Sequence, residues 1–134
     1  MVKISEKDFN NFIHLAKELG ASEAKIIPSS TIKTAGWVRM KCQYGCDGFG
    51  VGLCCPPFTP TPQEFREVLN DYQNGLLIHC QPDTSVTEII RKLEREIFLS
   101  GYYKALGFGA GSCGLCEQCN LDGCLYPNEA RPSM

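Results

Sequence analysis

The sequence predicts a small α/β fold: a short sheet flanked by helices, with two cysteine-rich loops able to wrap a bound group. Three observations predict it. Apolar residues recur at helical spacing in three segments, short extended apolar runs lie between those segments, and cysteines concentrate at 42–55 and 113–124. Strands joined through helices favour a small α/β sheet.

The elements follow in chain order. Ser5 and Asp8 resemble a capping box, and Phe9, Phe12, Ile13, Ala16 and Leu19 repeat at helical spacing until Gly20 ends the pattern. "EAKIIP" and "GWVRMKC" then read as strands. In the second, Val38, Met40 and Cys42 share one face while Trp37, Arg39 and Lys41 share the other, which would carry Cys42 inward. Thr61, Pro62 and Glu64 make a helix start, with a hydroxyl N-cap, proline at the first helical position and a carboxylate at the third, and Phe65, Val68, Leu69 and Tyr72 supply its apolar stripe. "GLLIHC" is apolar on both faces, as suits a buried strand. A third helix is expected over roughly Ser85 to Leu106, with Val86, Ile90, Leu93 and Ile97 on one side and a Glu88–Lys92 ion pair. A further strand is expected at "ALGFGAG". In this order both cysteine loops follow strands.

At 134 residues the chain is read as one domain, 1–134, with no internal repeat, low-complexity segment or dividing linker. It is long enough to bury an apolar core without disulfide staples. A net charge of −2 with 21% charged residues gives no reason to expect nucleic acid or an anionic membrane as partner. Lys3, Glu6, Lys7 and Asp8 interrupt any signal-peptide core, and no apolar run is long enough to cross a bilayer, so a cytoplasmic location is expected. Nine cysteines in a reducing compartment point to ligands or catalysts, and an odd number cannot all pair within one chain.

The second cluster, "GSCGLCEQCNLDGCLYP", sets Cys113, Cys116 and Cys119 at C-x2-C-x2-C spacing, followed by Cys124 and Pro127. Two-residue gaps bring successive thiolates around one face of a compact cofactor, and three in series with a distant fourth is how ferredoxins hold a [4Fe-4S] cube. The run differs from the bacterial ferredoxin pattern in placing four residues before the last cysteine and in lacking a proline next to it. Zinc is the alternative, although four-cysteine zinc sites usually pair two C-x2-C knuckles across a longer spacer. The first cluster, Cys42, Cys46, Cys54 and Cys55, has wider gaps and an adjacent pair that does not easily point at one metal, so one of Cys54 and Cys55 is expected to be spare. Alone it suits zinc or iron-sulfur equally; beside the second cluster, iron-sulfur is favoured. Gly45, Gly48, Gly50 and Gly52 allow backbone N–H groups near sulfur, and Pro56 and Pro57 stiffen the exit.

"VRMKCQYGCDGFGVGLCCPPFTPTPQEFREVL", "EREIFLSGYYKALGFGAGSCGLCEQC" and "CLYPNEARPSM" resemble the predicted metal-binding proteins grouped as domain of unknown function 2284, over nearly all of Val38 to Met134. The resemblance implies a first ligand set of Cys42, Cys46 and Cys55, from a C-x3-C and C-P-P pattern, and a second of Cys113, Cys116, Cys119 and Cys124. Cys54 stands where that pattern has other residues, and is a reserve ligand. The resemblance implies iron-sulfur binding without a reaction. Members of the family look longer, continuing beyond "ARPSM", so a shortened form is expected.

Other candidates have structural readings. His14 lies beside the first helix's apolar stripe and His79 in an apolar strand, where a hydrogen-bonding role is commoner than metal ligation. Cys80 ends a strand and reads as a small core residue, with ligation held in reserve. "GFGAG" leads into a cysteine loop, not a helix, and suits close backbone approach better than phosphate binding. Tyr102 and Tyr103 are expected to pack the end of the third helix. Arg39, Lys41, Lys104 and Arg131 read as surface charges, any of which could offset a cluster's negative charge.

Three function classes remain. The leading expectation is an iron-sulfur protein with one or two [4Fe-4S] clusters, moving electrons to or from a redox partner protein. The second is an enzyme with an open iron site, because two cubes need eight thiolates and the family-like set supplies seven. The third is a structural zinc domain.

Overall fold

The computed structural model describes residues 5–110 and 116–124. These residues form two compact units, one of residues 5–27 and 75–109, the other of 28–74 with 110 and 116–124.

The first unit begins with α1 (Glu6–Glu18). Ser5 Oγ accepts the Asp8 N–H, satisfying one of the donors a helix start leaves open. Phe12 and Ala16 are buried on the helical stripe read from the sequence. β1 (Glu23–Pro28) and β2 (Asn74–His79) then form a two-stranded ribbon. Its bordering bonds, Ser22 N–H to His79 O at 2.8 Å and Ser29 N–H to Gln73 O at 2.9 Å, show antiparallel pairing. α4 (Val86–Leu99) packs on α1. Ala16, Ala21, Ile89 and Leu93 make the core, with Leu76, Ile78 and Cys80 packed against it. Burial of Ile89 or Leu93 contributes roughly 1.5–3 kcal/mol each.

The helices flank the ribbon as the α/β reading requires, but three local expectations are corrected. β2 is covered on one face only: Leu76 and Ile78 pack inward while Leu77 is exposed. A two-stranded antiparallel ribbon can leave one face to water, and the uninterrupted apolar run hid that alternation. α4 stops at Leu99, not near Leu106, because Ser100 Oγ takes the Glu96 carbonyl at 2.8 Å and Gly101 follows. Glu88 pairs with Arg91 at 3.0 Å, three residues on, where Lys92 was expected.

After α4 the chain returns across the same unit. Tyr102 packs edge-on to Phe12, with ring centroids 5.6 Å apart, and its hydroxyl donates to the Asp8 carboxylate. Gly107 N–H donates to Glu94 Oε2 at 2.6 Å. A Cβ at Gly107 would lie 2.5 Å from Ile90 Cγ2, so glycine is what lets the backbone approach α4 this closely. "ALGFGAG" is thus the close approach that its glycines suggested. It runs as irregular chain, not strand, over its described residues.

The second unit holds α2 (Gly36–Gly45) and α3 (Pro62–Leu69). α2 overturns the strand expected at "GWVRMKC". The alternation of Val38, Met40 and Cys42 has no sheet partner here, and all three of Trp37, Val38 and Met40 are exposed, while Arg39 and Cys42 are the half-buried pair at i, i+3. Straight-chain Arg39, Met40, Lys41 and Gln43 suit a helix. The first cysteine loop therefore follows a helix.

Candidate metal centre

The first cysteine stretch is set by the two helices around it. Cys42 rides in the last turn of α2, and Cys46 caps that helix with extended backbone, its N–H bonded to the Cys42 carbonyl at 3.3 Å. The chain then folds through successive turns, with Val51 N–H to Gly48 O at 3.2 Å, Cys55 N–H to Gly52 O at 3.1 Å and Phe58 N–H to Cys55 O at 3.1 Å. Gly50, at φ 75°, bends back so that its N–H reaches the Pro56 carbonyl at 2.8 Å. That φ is open to glycine and costly for other residues.

The loop's exit is pinned from both sides. The Arg39 guanidinium donates to the carbonyls of Pro57 at 3.3 Å and Pro60 at 3.4 Å, tying the C-P-P segment to α2. Thr61 then caps α3 in a full capping box, its Oγ1 accepting the Glu64 N–H and its own N–H donating to Glu64 Oε1. The Thr61 bonds hold the Glu64 carboxyl below its ordinary value, with a smaller contribution from the Arg39 charge. Thr34 Oγ1 donates to the Pro62 carbonyl at 2.9 Å, and Arg66 donates to the Thr34 carbonyl at 2.9 Å, fastening the segment before α2 to α3. Arg39 read as a surface charge from the sequence. Once 36–45 is recognised as helix, its i, i+3 spacing to Cys42 puts it on the cysteine's face, which is the signal that was missed.

Backbone donors of this loop reach sulfur. Gly48 N–H lies 3.4 Å from Cys46 Sγ, and Leu53 N–H lies 3.3 Å from Cys119 Sγ. The second contact joins the two cysteine motifs, because Cys119 is 66 positions further along the chain. Beyond it, Asn120 turns the chain by accepting the Asp122 and Gly123 N–H groups, leading to Cys124.

Of the residues expected to bind metal, Cys42, Cys46, Cys55, Cys116, Cys119 and Cys124, with the reserve Cys54, all belong to this one unit. All but the exposed Cys46 are half-buried thiols. Cys113 lies outside the described residues, as do Pro127 and Arg131. Among the described residues no three histidine, cysteine or acidic side chains converge as a ready-made ligand group. Cys80 belongs to the other unit and packs on its apolar core, consistent with its reading as a core residue. His14 is exposed and sits 3.0 Å from Glu18, four residues on along α1.

By donor type the described residues suit a thiophilic metal: half-buried thiols gathered in one unit, backbone N–H groups directed at sulfur, and an arginine against the loop. Residues 25–134 match the predicted metal-binding proteins designated DUF2284, and the chain belongs to that family. No curated protein and no solved structure matches the chain. No helix among the described residues is long and apolar enough to cross a membrane.

Proposed function

We propose that the protein binds iron-sulfur, as one or two [4Fe-4S] clusters, and passes electrons to or from a partner protein. The observation that carries this reading is the pair of N–H to sulfur contacts, Gly48 to Cys46 and Leu53 to Cys119, within a unit that collects the cysteines of both motifs. Bound [4Fe-4S] supplies a one-electron couple whose potential depends on hydrogen bonds to sulfur, net charge and exposure.

The chain's own residues have separable duties in this reading. Cys42, Cys46 and Cys55, with Cys113, Cys116, Cys119 and Cys124, supply thiolates. The N–H groups of Gly48 and Leu53 draw negative charge from sulfur and favour the reduced state. Arg39 fixes the exit of the loop and adds positive charge beside an anionic centre. A reductive titration of anaerobically purified protein tests the role: visible absorption should bleach on reduction and return on oxidation. Absorption that does not respond to reductant would contradict it.

A further inference from the structure

We propose that the two cysteine motifs build one composite metal centre, in which Cys119 of the second motif is seated against the loop that carries Cys46 and Cys55. The spacing of each motif suggests a self-contained site, three thiolates from the first and four from the second. The geometry joins them. Cys119 Sγ accepts a donor from the first loop, Leu53 N–H at 3.3 Å. The same loop, five residues earlier, directs Gly48 N–H at Cys46 Sγ. Residues 48–53 are therefore one wall of backbone donors that serves a sulfur from each motif.

That wall is held in place. Turn bonds from Val51 to Gly48, Cys55 to Gly52 and Gly50 to Pro56 keep it folded. Arg39 fixes its exit through the Pro57 and Pro60 carbonyls. Leu53 lies inside the turn closed by the Cys55 N–H to Gly52 carbonyl bond, so the residue that touches Cys119 shares a turn with the C-P-P cysteine. A thiophilic metal or iron-sulfur centre bound by Cys119 thus lies at the first loop, and losing either motif removes the thiolates or donors that the other requires.

This assignment rests on the metal-binding reading above, but not on which metal is bound. Its test counts total metal per chain, by mass spectrometry, in anaerobically purified full-length protein. The wild type is compared with Cys42→Ser/Cys46→Ser, with Cys119→Ser and with the triple combination, and circular dichroism checks that the helices persist. A composite centre predicts a loss of about tenfold or more in each variant, with the combination no worse than either alone. Retention of about half the wild-type metal in both, with additive loss in the combination, would overturn it. Leu53→Pro keeps every thiol, removes the donor to Cys119 and fixes φ at residue 53. It should shift the visible absorption or the reduced-state paramagnetic resonance, and an unaltered spectrum would also overturn the proposal. Zinc without sulfide in the wild type would defeat the iron-sulfur reading while leaving the metal count as decisive as before.

Discussion

The Leu53 backbone N–H donates to Cys119 Sγ at 3.3 Å, bringing residues 66 positions apart in sequence into contact within one compact unit. Sulfur is a weak acceptor as a thiol and a better one as a metal-bound thiolate, so a backbone donor placed there favours the ligated form. The contact also makes the geometry of the first loop matter to the second motif.

Cys54 and Cys55 should differ in that loop. Cys55 precedes Pro56, which biases its own backbone towards extended conformation, and it is the cysteine of the C-P-P pattern, whereas Cys54 lies inside the turn closed by the Cys55 N–H to Gly52 carbonyl bond. Cys55→Ser should lose bound metal while Cys54→Ser keeps it, as counted by metal analysis of the purified variants. Equal retention by both would show that the C-P-P cysteine is not a ligand.

Metal removal should loosen the cysteine segments more than the helices. The loop at 46–60 is held by turn bonds and by Arg39, with Val51 and Phe58 exposed, so it has little apolar packing of its own. After chelation, amide exchange at 47–55 should accelerate, while α4, with Ile89 and Leu93 in the core, stays protected. Identical exchange with and without metal would indicate a site formed independently of its ligand.

The Asp8–Tyr102 pair should make the first unit's stability depend on pH at both extremes. The Tyr102 hydroxyl bond, above all, holds the Asp8 carboxyl below its ordinary 3.8, and the same bond holds the Tyr102 hydroxyl above its ordinary 10.0. A lowered carboxyl contributes stability above its ordinary value and loses it as pH falls through the folded value. A raised phenol contributes below its ordinary value and loses it as pH rises through the folded one. The tie is thus fully present between those limits. Tyr102→Phe should move the Asp8 titration upward, followed by carboxyl carbon resonance, and an unchanged midpoint would mean that another contact sets it.

Gly107→Ala should destabilise the fold by about 1–3 kcal/mol, since the added carbon meets Ile90 Cγ2 at 2.5 Å and Glu94 Oε2 at 3.0 Å. Thermal or denaturant unfolding measures it. An unchanged midpoint would show that α4 yields without cost.

Much of this was legible in the sequence where one signal acted alone. The caps at Ser5 and Thr61, the proline at the start of α3 and the helical stripe through Phe12 and Ala16 each depend on local chemistry, and all were readable. "GWVRMKC" failed because a seven-residue window fits both periods, and the choice between helix and strand depended on whether a sheet partner existed elsewhere. Leu77 was misplaced for a related reason: an apolar run does not reveal that only one face of its ribbon is covered. The cysteine spacings identified the ligand candidates. They could not reveal the contact between motifs, because that contact is made by the backbone of Leu53, an apolar residue whose side chain carries no ligand chemistry.

The central claim is that these thiols hold iron-sulfur, and the most direct measurement is iron and acid-labile sulfide per chain after anaerobic purification. The account predicts near-equal iron and sulfide, about four of each for one cube or eight for two. Stoichiometric zinc with no sulfide would contradict it.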